Sequence, residues 1–471
     1  MSKEPRHQHP MGGQDAAWWR MESSTNLMIV NALLDFDEEL SYDELCELVR
    51  QRLLPIPKFT QRVVTQSNGV ITRPHWETDP HFELDAHVNH IAIPRPREDD
   101  DRDAALKRVL SDLFSQPLDQ SKPLWKIYLL DTDKPGSSVA IRIHHSLADG
   151  FALLFLMTHL VDPGEPIHFP MGSVNTVAPA EEDLDEEAKK IARSVRQRRG
   201  LPGLSDIEQL AALGKPRAVR SAARQASSAS AVAGQLLLMS TEQRSSLRSQ
   251  LGTIKLVDWS RPVPVDTIKE IARDFGGTIN DVLLLALCDS LREVLAGRDE
   301  SLRPDSDLRC VMPVNLKPLD ERGDDLGNGF GLVFIDLPVG FDDPHERLEI
   351  LKKRLDRLKK SPEAYVTFGV LGAMGMGPAS AQASLTKLFY NKASLIATNV
   401  PGPIEPVSFG GQEIRGMRFW VPQSLDVGLG FSIFSYCGEV QVGVHVDRKI
   451  MPDTTEWVEA FHRALEALRV A

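Results

Sequence analysis

Two adjacent histidines, His144 and His145, close a segment in which Val139, Ile141 and Ile143 alternate with other residues. That spacing is the period-two signature of a half-buried strand. A short polar turn follows, Ser146 to Gly150, and then a strongly apolar run over residues 151–161, long enough for a helix packed on the core. Asp149 or Ser146 can cap the first turn of that helix with a side-chain oxygen. The histidines are therefore expected at the lip of a sheet, on rigid backbone, where a side chain can meet a substrate. An imidazole titrates near neutrality, so it can take a proton from an alcohol attacking an ester or thioester and return it to the leaving group. A histidine pair also suits a metal, but no third His, Cys or acidic ligand stands at a zinc-site offset, so no metal is expected. Asp149 can orient the imidazole, cap the helix or pair with an arginine; the structural role is favoured. Gly150 permits close backbone approach or a positive φ.

The bulk properties bound the rest. A chain of 471 residues suits two domains, and 42% hydrophobic with 25% charged residues is a globular composition. A formal charge of −12 argues against a nucleic-acid partner. Cys46, Cys288, Cys310 and Cys437 are scattered, as in a reduced, cytoplasmic protein. Neither a signal peptide nor an unbroken apolar run of about twenty residues is visible, so no membrane span is expected.

Residues 1–13 read as a disordered terminus and 14–163 as a first domain. Trp18 and Trp19 are core anchors or channel-lining residues, with at least one in the core. The spacing predicts a strand over 26–36, a helix over 42–53 capped by Ser41, a strand around 85–88 and a helix over 104–114. Pro123-Leu124-Trp125 opens a strand expected beside the histidine strand. Residues 164–250 form a linker in which an acidic block precedes a basic one, a solvated tether or a surface for phosphates or anionic lipid. A second domain, 251–471, starts with helices over 265–275 and 279–292, the latter capped by Thr278. Asn280, at the buried start of that helix, either bonds substrate or the catalytic histidine, or satisfies local backbone. Strands are expected over 309–315, 332–337, 428–435 and 440–446, with helices over 345–358 and from 451 to 468. Residues 364–386 carry no charge and several glycines, which suit either helix packing or the wall of a lipid tunnel. Residues 397–403 read as a turn-rich loop.

His144-His145-x-x-x-Asp149-Gly150 matches the signature of the CoA-dependent acyltransferase superfamily. With Pro123-Leu124-Trp125, Asn280-Asp281, Pro313-Val314-Asn315, Leu326-Gly327-Asn328, Thr398-Asn399-Val400-Pro401-Gly402-Pro403 and Ser435-Tyr436-Cys437-Gly438 in order, the whole chain resembles the bifunctional wax ester synthase/diacylglycerol acyltransferase family. The family's Ser-Asn-Val-Pro-Gly-Pro begins here with Thr398, and the aromatic Asp-Phe-Gly-Trp-Gly stretch of plant alcohol acyltransferases is absent.

The resemblance implies an α/β fold with mixed sheets, as two chloramphenicol-acetyltransferase-like domains with a tunnel at their interface. It implies transfer of a fatty acyl group from acyl-CoA to a long-chain alcohol or diacylglycerol, without metal or organic cofactor. His145 is then the general base, with His144, Asp149 and Asn280 supporting it, and Ser146, Gly150, Trp125, Thr398 and Asn399 are expected on the substrate side. A peripheral association with a membrane or lipid-droplet surface fits such substrates. The rivals are a condensation-type acyltransferase fed by a carrier protein and a non-catalytic protein coating neutral lipid.

Overall fold

The computed structural model describes residues 8–67, 72–94, 103–131, 136–147, 160–162, 167–169, 242, 245–298, 300, 302–316, 329–376, 392–423 and 427–470. The 151–161 helix, apart from its last two residues, and the charged linker lie almost wholly outside these residues. Three sheets organise the fold. A six-stranded sheet has the order β13-β14-β2-β7-β6-β5, comprising β2 (Ile29–Phe36), β5 (Val88–Ala92), β6 (Trp125–Asp131), β7 (Ser138–His144), β13 (Ser408–Phe409) and β14 (Gln412–Trp420). A seven-stranded sheet runs β11-β10-β12-β15-β16-β8, with β9 (Val263–Pro264) beside β16. Its other members are β8 (Lys255–Trp259), β10 (Leu308–Asn315), β11 (Phe330–Leu337), β12 (Leu395–Pro401), β15 (Leu429–Tyr436) and β16 (Glu439–Asp447). The third sheet joins β1 (Gln8–Pro10), β4 (Thr72–Thr78) and β3 (Gln61–Ser67).

Most expected elements form for the reasons given. Ser41 caps α2 (Tyr42–Arg52) through a capping box with Glu44, and α3 spans Ala104–Phe114. The amphipathic α4 (Val265–Asp274) precedes α5 (Ile279–Gly297), which Thr278 and Asp281 cap reciprocally. Helix α6 is Pro344–Lys359, and the terminal helix α8 is Thr455–Val470. As expected, β6 pairs with β7, Trp125 opposite Ile143.

Four expectations are corrected. Disorder does not reach residues 8–13: β1 pairs with β4, and Gly13 opens α1 (Gly13–Met21). The strand near residue 85 begins only at Val88, after a 3-10 turn over Leu84–Ala86. The predicted loop at 397–403 is largely β12, parallel to both neighbours and buried along most of its length. A strand covered on both faces loses the polar alternation that would announce it. Nor do the sheets follow the division at residue 250. Strand β14, from the second half, pairs antiparallel with β2 and completes the first half's sheet.

The glycines of α7 (Glu363–Met376) find their use in packing. A Cβ on Gly375 would collide with the Gly13 carbonyl oxygen, and one on Gly13 would lie 2.5 Å from the Gly372 carbonyl oxygen. The two backbones therefore touch, and Arg20 of α1 donates to the Gly375 carbonyl at 2.9 Å. Helix α7 also covers the edge strand β11. Thr367 Oγ1 accepts from Leu332 N–H (2.8 Å) and donates to Leu332 C=O (2.7 Å), and Glu363 accepts from Phe334 N–H (2.7 Å). Side chains of a helix thus replace a missing strand neighbour. Gly375→Val should lower stability by about 1–3 kcal/mol by overpacking this contact, read as a lower urea midpoint with an unchanged slope.

Candidate active site

Strand alternation sends the two histidines to opposite sides. His144 is 1% exposed and turns inward. Ser146 N–H donates to its Nδ1 at 3.0 Å, and Ser146 Oγ lies 2.8 Å from the same nitrogen. Nδ1 is thereby an acceptor, which places the imidazole proton on Nε2. Nε2 stands 3.1 Å from Glu22 Oε2. The geometry there falls short of a full hydrogen bond, so Glu22 is a close polar neighbour of Nε2. Burial alone would raise the Glu22 carboxyl, but contacts from His144, Gln120 and the Met28 N–H outweigh it and hold the group below the usual glutamate range.

His145 is 6% exposed and faces the other way. Its ring stacks on Trp18 of α1 at 4.4 Å between centroids and 24° between planes, and Phe330 of β11 lies 5.3 Å away, tilted by 49°. Trp18 and Phe330 stack on each other at 5.7 Å. Its backbone N–H donates to the Met28 carbonyl at 2.7 Å. Lys58 joins α1 to the following turn, donating to Leu147 C=O at 3.2 Å and to Asp15 at 3.4 Å. The imidazole is therefore gripped by residues of both halves of the chain: Trp18 and Met28 from the first, Phe330 from the second.

The other expected site residues divide. Asn280 and Asn399 meet directly, Asn399 Nδ2 donating to Asn280 Oδ1 at 3.0 Å, while Thr278 and Asp281 do the capping. Thr398 points to the opposite face of β12, the side of Ile396 and Val400, which share a core with Trp18 and Phe330. Two residues expected on the substrate side are deeply buried. Trp125 is 1% exposed; its indole donates to the Phe59 carbonyl at 2.9 Å and its ring stacks on His87 at 4.6 Å, so it serves the core. Ser146 is fully buried and spends its polar groups on His144. Asp149 and Gly150 lie outside the described residues. Glu22 and Phe330 escaped sequence reasoning, because no spacing rule links a helix-end carboxylate or a strand phenylalanine to a distant histidine.

Among the described residues, no three His, Cys, Asp or Glu side chains gather as a metal site, and no helix is long and apolar enough to cross a membrane.

Because its folded pKa is depressed, Glu22 contributes stability that is present above the unfolded carboxylate pKa and lost as pH falls through the folded one. Glu22→Gln should therefore cost about 1–3 kcal/mol at pH 7, a difference that shrinks as the pH drops below the ordinary carboxylate range, read by urea unfolding of both proteins across pH.

Residues 11–283 match the wax ester synthase/diacylglycerol acyltransferase catalytic domain, and residues 326–469 match the C-terminal domain of the same family. A probable diacylglycerol O-acyltransferase of Mycobacterium tuberculosis is 27% identical over 89% of this chain and 86% of its own length. The wax ester synthase/diacylglycerol acyltransferase 5 of Arabidopsis thaliana is 25% identical over 93% of this chain and 89% of its own. The fold is shared with the wax ester synthase/diacylglycerol acyltransferase of Marinobacter aquaeolei VT8, at a TM-score of 0.64 and 20% identity, covering 98% of this chain and 99% of that one. It is also shared with the first condensation domain of the CDA synthetase, at 0.57 and 14%, covering 99% and 96%. These are mixed α/β acyltransferase folds in a two-domain arrangement, and with both of its domain matches in place the chain belongs to the wax ester synthase/diacylglycerol acyltransferase family.

Proposed function

We propose that the chain transfers a long-chain acyl group from acyl-CoA to a fatty alcohol, a diacylglycerol, or both, with His145 as general base. The observation that carries this reading is the placement of His145: a buried imidazole at the seam of the two halves, ringed by Trp18 and Phe330. A base so enclosed is shielded from bulk water, which favours transfer to an alcohol over hydrolysis. His145 takes the hydroxyl proton as the alcohol oxygen attacks the thioester carbonyl, and the imidazolium then protonates the departing CoA sulfur. Both substrates are bound together, in a tunnel between the halves, and neither metal nor organic cofactor takes part. His144 does not compete for the proton, since it is buried and its acceptor nitrogen, Nδ1, is taken by Ser146. It fixes the end of β7, and the Asn280–Asn399 pair locks α5 to β12. The protein works in the cytoplasm, at the surface of a membrane or a lipid droplet where both acceptors collect.

The test is thiol release from palmitoyl-CoA with hexadecanol or dioleoylglycerol as acceptor. Acceptor-dependent release is expected, and His145→Ala should lower it by roughly two to four powers of ten while leaving the unfolding midpoint close to that of the parent. Release that ignores the acceptor would make the protein a thioesterase. No release with either acceptor would favour an acyl donor held on a carrier protein.

A further inference from the structure

A base and its substrates are one part of an acyl transfer. The negative charge that develops on the acyl oxygen also needs a donor fixed in advance in a dry place. The two asparagines are poorly placed for it. Asn399 gives one N–H to Asn280, and the pair sits across β12 from the face that Thr398 shares with the core around the imidazole.

The tryptophans point elsewhere. A buried indole normally finds an acceptor for its N–H, and here the buried Trp125 and Trp420 do so, donating to the Phe59 and Asp258 carbonyls at 2.9 and 3.1 Å. Trp18, Trp19 and Trp457 have no acceptor for Nε1 among the described residues. Of these three, Trp18 is the one stacked on the His145 imidazole, at 4.4 Å, and it is 2% exposed. A desolvated donor left without an acceptor is a standing cost to the fold, and such a cost is recovered if the acceptor arrives with a ligand. Trp18 is held in place by rigid neighbours, with Phe330 stacked against it and α1 packed backbone to backbone on α7. A donor preorganised in this way does not have to reorient as charge develops.

We propose that Trp18 is a second catalytic residue: its indole N–H donates to the acyl carbonyl oxygen and holds it as it becomes the oxyanion, while its ring face holds the imidazole of His145. The inference rests on the acyltransferase reading above. The bond that forms is from the alcohol oxygen to the acyl carbon, and the bond that breaks is from that carbon to the CoA sulfur. The indole proton stays on its nitrogen throughout. Because the oxyanion belongs to the acyl group, the donor serves both kinds of acceptor alike. The aromatic face has a further use, since it favours the imidazolium that forms during the same step.

The experiment uses the full chain labelled with indole-15N tryptophan, together with Trp18→Phe, which keeps a smaller aromatic face on His145 and removes the N–H with part of the ring. The Trp18 signal is the one that vanishes in the variant. Palmitoyl-CoA should move that signal's proton downfield, as a new hydrogen bond does, and leave the other indoles in place. In the same variant, kcat should fall about a hundredfold with hexadecanol and with dioleoylglycerol, with little change in the KM for palmitoyl-CoA and no shift in the pH profile set by His145. A signal that ignores palmitoyl-CoA, or full activity in Trp18→Phe, overturns the inference while the parent's own activity still upholds the acyltransferase reading. A loss confined to dioleoylglycerol overturns it too, since Trp18 would then touch the acceptor rather than the oxyanion. A parent that releases no thiol with either acceptor refutes the underlying reading instead.

Discussion

The contact between α1 and α7 is made of backbone, and the position of the His145 imidazole depends on it. Two helices can approach this closely only where neither carries a Cβ at the crossing, and Gly13 and Gly375 meet that condition. The crossing fixes the depth and rotation of α1, and with them Trp18, whose ring forms one wall around His145. The same α7 is fastened to β11 by Thr367 and Glu363, and β11 supplies the adjoining wall, Phe330. Both walls are thus referred to one helix, so small errors in the packing of the two halves do not accumulate at the imidazole.

The paired histidines show how neighbours in sequence can serve different ends. Strand geometry separates them, and each environment then selects a role. His144 is bonded at Nδ1 by Ser146, has Glu22 close beside Nε2, and becomes part of the frame. His145 is stacked on Trp18, flanked by Phe330 and held through its backbone N–H by the Met28 carbonyl. A buried carboxylate such as Glu22 is tolerated because Met28 N–H, Gln120 and His144 surround it.

What could be read in advance follows from the range of the forces involved. Local patterns gave α2, α3, α4 and β7 nearly to the residue and the start of α5, which runs five residues past the expected end, because capping boxes and periodicity act over a few positions. The histidine pair, Asn280 and Thr398 were legible as chemistry. Their partners were not. Glu22 and Phe330 act through contacts that only the tertiary fold creates, and Trp125 carried a motif's prestige while doing the work of a core residue. The glycines of α7 were noticed as small, but nothing local said that Gly13 would be the surface they were small for. Strand β14 was missed for a related reason: its pairing partner, β2, stands at the far end of the chain.

That last pairing has a consequence for how such a chain can be divided. The halves are woven together: β14 leaves the second sheet's run of sequence, completes the first sheet beside β2, and the chain returns at once to β15. A gene cut at the linker would give a first half with β2 exposed as a bare hydrogen-bonding edge, and a second half in which β14 pairs only with the two-residue β13. Both are templates for self-association. Two fragments would therefore be sticky when apart and complementary when together. This architecture can grow in its loops or be complemented in trans, but its halves are not modules that could be shuffled independently into other proteins.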